Sequence, residues 1–127
     1  MSRAEKLRRV RAQALLVRRL SEQRRAQAAD GLRAVRLDGM PHSRGTAGLD
    51  AQIEKREALA QLLSQESARL REYDRQARGE MDRMKPEHYA FCALYYLAGI
   101  SIEETAEAID RSVRQCMRYK REIEEEG

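Results

Sequence analysis

Apolar residues recur three and four positions apart along most of the chain, the spacing that gathers side chains on one face of an α-helix. Leu7, Val10, Ala14 and Val17 form the first such stripe, with Leu16 and Leu20 beside it. It predicts one long helix over residues 3–36, a basic N-terminal segment spanning 1–36. Residues 37–49 break the pattern, because Gly39, Gly45, Gly48 and Pro41 fall close together and make a loop. A second, broken stripe follows: Ile53, Leu59, Leu62, Leu63, Leu70, Tyr73, Ala77, Met81 and Met84. It predicts a second long helix over residues 50–84, with Arg56 and Glu66 near the seam, Asp74–Arg78 as a favourable i, i+4 pair and Gly79 as a weak point. The loop lets the two long helices fold back as an antiparallel hairpin.

Residues 85–127 carry a different pattern of shorter elements. Pro86 suits the first position of a helix over 86–97, where its missing N–H costs nothing. Phe91, Leu94, Tyr95 and Leu97 supply its core face, and Gly99 closes it in the left-handed conformation that helix ends favour. Two further helices follow, over 102–109 and 113–124, each opened by a serine. Ser101 caps the first, with Glu104 completing a capping box, and Ser112 caps the second. Ala106 leaves room for close helix approach, Ile109 closes the first helix, and Asp110-Arg111 make the turn. The fold class is therefore all-α: a hairpin of two long helices followed by a three-helix unit containing a helix-turn-helix, whose second helix enters the DNA major groove.

The second helix of that motif has two faces. Arg111, Arg114, Arg118 and Arg121 are spaced three, four and three apart, which aligns them on one side. Cys116, Tyr119 and Ile123 fall on a core-facing side. A guanidinium-rich face opposite an apolar one is what a DNA-reading helix needs, whereas a solvated surface helix usually scatters its arginines.

Charge sharpens this picture and complicates it. The net charge is +4, with charged residues at 36% and aromatics at only 5%, so the chain suits exposed helices around one small packed unit. Residues 1–48 hold 12 Lys/Arg against 4 Asp/Glu, and residues 85–127 hold 6 against 9. The basic excess is N-terminal, where it offers a footprint for DNA phosphate or an acidic protein surface. The acids of the C-terminal unit lie mostly on its middle helix (Glu103, Glu104, Glu107) and in the tail (Glu122, Glu124, Glu125, Glu126), away from the arginine face.

Other chemistry is sparse. Cys92 and Cys116 fit no zinc spacing and read as small buried apolar residues. Free thiols without a signal peptide point to a reducing cytoplasm, and no apolar run approaches the length of a membrane span. His42 beside Ser43 has no acid partner, and the Gly39–Gly48 loop lacks the Lys-Ser/Thr of a phosphate-binding loop. The residues thus point to a non-enzymatic protein with no metal or other cofactor.

Two segments together resemble a known family. Tyr95-Tyr96-Leu97-Ala98-Gly99-Ile100-Ser101, Glu104-Thr105-Ala106 and Ser112-Val113-Arg114-Gln115-Cys116-Met117-Arg118 resemble region 4 of bacterial sigma factors. The loop Asp38-Gly39-Met40-Pro41-His42-Ser43-Arg44-Gly45 resembles that of sigma-factor-like phage transcriptional regulators of the ArpU and RinA type. The resemblance spans residues 33–123, although Asp110-Arg111 stand where the family often has a small residue or glycine, and Cys116 and Met117 fill hydrophobic positions. It implies activation of phage or prophage late genes in a bacterial host, binding to double-stranded promoter DNA and contact with host RNA polymerase. Carried onto this chain, it marks Ser112, Arg114, Gln115, Arg118 and Arg121 as DNA-binding residues. Arg114 and Arg118 would reach guanine edges and Gln115 adenine, while Arg111, Ser112 and Arg121 hold phosphates. A homo-oligomer through the long helices would extend a single short reading helix. Two alternatives stay open: a small-terminase-like DNA-packaging protein, and a helical interaction module that binds no DNA.

Overall fold

A computed structural model describes the backbone of residues 1–37 and 45–125, and the side chains of 1–30 and 48–125. The described residues are all helical or turn, with no strand. Helix α1 runs Arg3–Leu37 and α2 Gly45–Met81. Helix α3, Pro86–Cys92, continues directly as a π-helical turn over Ala93–Leu97. Helices α4, Ile102–Ala108, and α5, Val113–Glu125, complete the chain. The helix order matches the expectation from periodicity, but both ends of α2 shift: it closes at Met81, three residues before the expected end at 84, and it starts early. Gly45–Leu49, expected as loop, already belong to α2. Glycine weakens a helix by about 1 kcal/mol per residue but does not forbid it. The remainder of the expected loop, Asp38–Arg44 with His42 and Ser43, lies outside the described residues.

The chain divides into two compact units, one formed by Met1–Leu15 with Ala68–Gly127, the other by Leu16–Ser67. In the first, every helix contributes to one core. Leu7 and Val10 of α1, Ala77 and Met81 of α2, Phe91, Cys92 and Tyr96 of α3 and its π turn, Ala106 of α4, and Cys116, Tyr119 and Ile123 of α5 are all buried together. The start of α1 runs antiparallel to the end of α2, tied by Lys6–Glu80 at 2.7 Å and by a hydrogen bond from Arg9 to Gln76. Asp74–Arg78 forms the expected ion pair, at 2.7 Å.

The π turn decides which aromatic is central. Helical periodicity from Phe91 points inward at Leu94 and Tyr95, yet Tyr96 is fully buried and Tyr95 only partly. The Ala98 N–H bonds to the Ala93 carbonyl at 3.1 Å, the i→i+5 bond of a π-helix. That wider turn rotates the following side chains, so Tyr96 takes the inward place. Its ring meets Phe91 edge-on at 6.0 Å and its hydroxyl donates to Glu124 at 3.1 Å. Burial, reinforced by the Glu124 carboxylate, pushes the Tyr96 hydroxyl far up from its ordinary range.

Basic residues of α1 serve this unit. Arg3 donates to the Ile123 carbonyl in the last turn of α5 at 2.7 Å, where main-chain acceptors lack helical partners. Arg8 pairs with Glu124 at 3.2 Å. Arg11 donates to the Tyr95 carbonyl and, at 2.9 Å, to the Ile100 carbonyl, while its guanidinium stacks 3.8 Å over the Tyr95 ring. Arg9 lies 3.9 Å over the Tyr73 ring. Arg3, Arg9 and Arg11 thus make contacts within the unit, while the exposed Arg8 pairs at its surface.

The second unit is thinner. Leu20 is buried, and Val17, Leu59 and Leu63 are half-buried. Both polar residues expected near the seam are there: Arg56 donates to the Gln27 carbonyl at 3.4 Å, and Glu66 is buried. Leu16, Leu49, Ile53 and Leu62 are exposed. Among the described residues no helix is long and apolar enough to cross a membrane.

Two measurements test this architecture. A Cβ built at Gly79 meets nothing within 4 Å, so Gly79→Ala should stabilise by about 0.5–1 kcal/mol in urea unfolding. Burial pushes the Cys92 thiol up to about 12 from 9.0 and raises the Cys116 thiol for the same reason. Both thiols should resist iodoacetamide at pH 8 in the native protein and react after denaturation. Because the Cys92 thiol ionises near pH 9 only when unfolded, its burial should cost stability progressively as pH rises above that value.

Candidate nucleic-acid interface

The turn between α4 and α5 is built from local hydrogen bonds. At the start of α4, the Ser101 hydroxyl accepts from the Glu104 N–H at 3.2 Å, as expected of a cap. The buried Thr105 hydroxyl donates to the Ser101 carbonyl at 2.8 Å. At the end of α4, the Arg111 N–H reaches the Ala106 carbonyl at 2.9 Å and the Asp110 N–H the Glu107 carbonyl at 3.3 Å. This pair of bonds is a Schellman closure, and it requires a left-handed residue at Asp110, whose φ is 56°. Aspartate tolerates that conformation better than most side chains, which explains how the turn forms without glycine.

Helix α5 opens with a reciprocal box. The Ser112 hydroxyl accepts from the Gln115 N–H at 3.1 Å, and the Gln115 side-chain oxygen accepts from the Ser112 N–H at 3.1 Å. The expected box was at Ser101–Glu104; the box closed on both sides is at Ser112–Gln115. This bears on two of the six candidate site residues. Gln115 is exposed, but bidentate pairing with adenine needs its side-chain oxygen as well as its amide protons, and that oxygen holds the helix start. Ser112 is likewise exposed with its hydroxyl committed to the cap. The geometry makes these two the frame of the start of α5.

Arg111, Arg114, Arg118 and Arg121 are all exposed, and Cys116, Tyr119 and Ile123 all buried, so α5 has the two faces its spacing predicts. Arg111 donates to the Asp110 carbonyl at 3.0 Å, which folds it over the turn. Arg118 lies 3.6 Å from Glu122. Arg114 and Arg121 form no ion pair among the described residues. Met117, expected at a hydrophobic position, is 57% exposed beside this face, and Val113 37%. An exposed methionine and valine flanking four guanidinium groups give the surface apolar groups as well as charge. Position alone could have flagged Met117: it falls one helical turn from Val113 and beside Arg114 and Arg121, away from the Cys116–Tyr119–Ile123 side.

One acid of α4 reaches the edge of this surface, since Glu103 lines a pocket together with Met117 and Arg121. Glu103 and Glu104 occupy the first turn of α4, where carboxylates favour the positive end of the helix dipole. Pro86 occupies the first position of α3, as expected. The exposed face of α5 carries four arginines although residues 85–127 hold more acids than bases.

Comparison of the chain with protein-family models, with curated proteins and with solved structures finds no match.

Backbone strain and capping at the turn can be measured directly. Asp110→Val places a β-branched side chain at positive φ and should destabilise by about 1–2 kcal/mol, while Asp110→Asn should be nearly neutral. Ser112→Ala should cost about 1 kcal/mol in thermal unfolding, because it removes the acceptor for the Gln115 N–H.

Proposed function

We propose that this protein is a sequence-selective DNA-binding transcriptional regulator, in which α5 enters the major groove of double-stranded DNA. The observation that carries the reading is the face of four exposed arginines on a capped helix behind a tight turn. Guanidinium groups suit both halves of the task, since they bind phosphate and pair in bidentate fashion with the O6 and N7 atoms of guanine. Arg114 and Arg118, at the centre of the face, are assigned to bases, and Arg111 and Arg121 to phosphates. Val113 and Met117 would meet thymine methyl groups. Ser112 and Gln115 act by fixing the start of the reading helix.

The resemblance of this stretch to sigma factor region 4 supports a finer reading: an activator of phage or prophage late genes, working in the bacterial cytoplasm and touching host RNA polymerase. One such helix reads only a few base pairs, so pairing of two copies through the long helices would supply the remaining selectivity. The exposed Leu49, Ile53 and Leu62 of α2 support that pairing.

Fluorescence anisotropy on duplexes from the neighbourhood of its own gene, at two salt concentrations, tests the reading. The expected complex is site-selective and weakens with salt, because neutralising phosphates releases counterions. Arg114→Ala should cost about 1–3 kcal/mol and relax selectivity at one base pair, whereas Arg121→Ala should weaken all sequences evenly and lower the salt slope by about 1. Absence of any salt-sensitive complex would overturn the assignment.

A further inference from the structure

One carboxylate on α5 faces both the arginine surface and the core. Glu122 turns one oxygen, Oε2, to the Nε2 atom of His88 at 3.0 Å and the other, Oε1, to the Nε atom of Arg118 at 3.6 Å. The two ends of this bridge differ in environment. His88 stands in the first turn of α3, with a side chain only 7% exposed, and its ring meets Tyr119 edge-on at 5.4 Å. Arg118 is 60% exposed on the opposite side, and Glu122 at 43% lies between them. The immobile partner is thus the histidine. Packing holds the imidazole, the imidazole pairs with the carboxylate, and the carboxylate stands beside a long guanidinium that also lies 6.0 Å over the Tyr119 ring.

The atom that Glu122 holds matters. An ion pair at Nε, 3.6 Å long, leaves the two terminal nitrogens of Arg118 available to meet guanine O6 and N7 end-on. A free arginine side chain carries about 2 kcal/mol of rotamer entropy, part of which it loses on fixing one geometry at a base. A side chain already restrained loses less, and its selectivity for the base that fits that geometry rises. A solvated arginine–glutamate pair without an anchor would give little of this, since surface ion pairs on a helix are weak and mobile.

We infer that Glu122, anchored by buried His88, is a positioning residue that presets Arg118 for guanine; the inference rests on the DNA-reading role of α5. Arg118 contacts the base, and Glu122 sets its direction without touching DNA.

Glu122→Gln is the discriminating variant. Glutamine keeps the shape and removes the charge, so its hold on the Arg118 guanidinium weakens even where its amide still pairs with His88. The duplexes are those enriched by the wild-type protein from a randomised library. The base pair read by Arg118 is located as the one whose preference disappears in Arg118→Ala. At that base pair, Glu122→Gln should lower the preference for guanine by about tenfold. Preferences elsewhere and the salt slope should stay as in the wild type. In the Arg118→Ala background, Glu122→Gln should change nothing further at that position. His88→Phe, which keeps a buried ring and removes the anchor, should lower the same preference in the same direction. A merely structural role for Glu122 predicts an even loss over all sequences, and that result would overturn the inference. So would a guanine preference retained within about twofold in Glu122→Gln while Arg118→Ala abolishes it. If the wild-type protein enriches no duplex at either salt concentration, the DNA-reading role itself falls, and the guanine role of the bridge with it.

Discussion

The small C-terminal helices, α3 to α5, cannot bury enough apolar surface by themselves to stand as a stable unit, because surface outweighs interior in so short a chain. The ends of the two long helices meet that deficit. Leu7 and Val10 from α1 and Ala77 and Met81 from α2 join Phe91, Cys92, Tyr96 and the apolar face of α5 in one core. Each buried leucine, phenylalanine or methionine contributes about 1.5–3 kcal/mol. The cost of this solution is a set of helix ends brought into the interior, with main-chain carbonyls that need donors. Arg3 and Arg11 supply them, at Ile123 and at Tyr95 and Ile100. Guanidinium suits this work, since it carries several donors on a long stem whose carbon atoms pack against neighbouring rings.

That arrangement bears on how a chain with a basic N-terminus and an acidic C-terminal unit keeps an arginine-rich face on α5. Glu124 is drawn to Arg8 and to the Tyr96 hydroxyl, and Glu122 to His88. Glu124 is therefore turned toward the core and α1, Glu122 is shared between His88 and Arg118, and Arg114 and Arg121 form no ion pair among the described residues. The cationic face of α5 is a consequence of where its carboxylates find partners, and net charge gives no hint of it.

The proposed reading helix is held at its beginning by the box between Ser112 and Gln115, beneath its middle by Cys116 and Tyr119, and at its end by Arg3. Of the six residues marked as DNA-binding from the sequence, the four arginines keep that assignment in the proposal, and the two polar residues become the frame that supports them. The distinction is chemical. Serine and glutamine are good at both capping and base contact, so their types do not separate the roles, whereas an arginine has no place in a serine cap.

The sequence by itself determined the helices and most of their limits. Stripes at helical spacing, Pro86, Gly99 and the two serine caps are local signals, and local signals are written in neighbouring residues. It also determined the two faces of α5, since three- and four-residue spacing fixes which side chains share a side. The tertiary structure decided what spacing cannot carry. The π turn moved the central aromatic to Tyr96, because a single inserted residue in the turn rotates everything after it. The burial of α1 against the C-terminal helices turned arginines that resemble a nucleic-acid footprint into donors for helix ends. The bridge from His88 through Glu122 to Arg118 joins residues 34 positions apart, and only the packing of α3 against α5 brings them together.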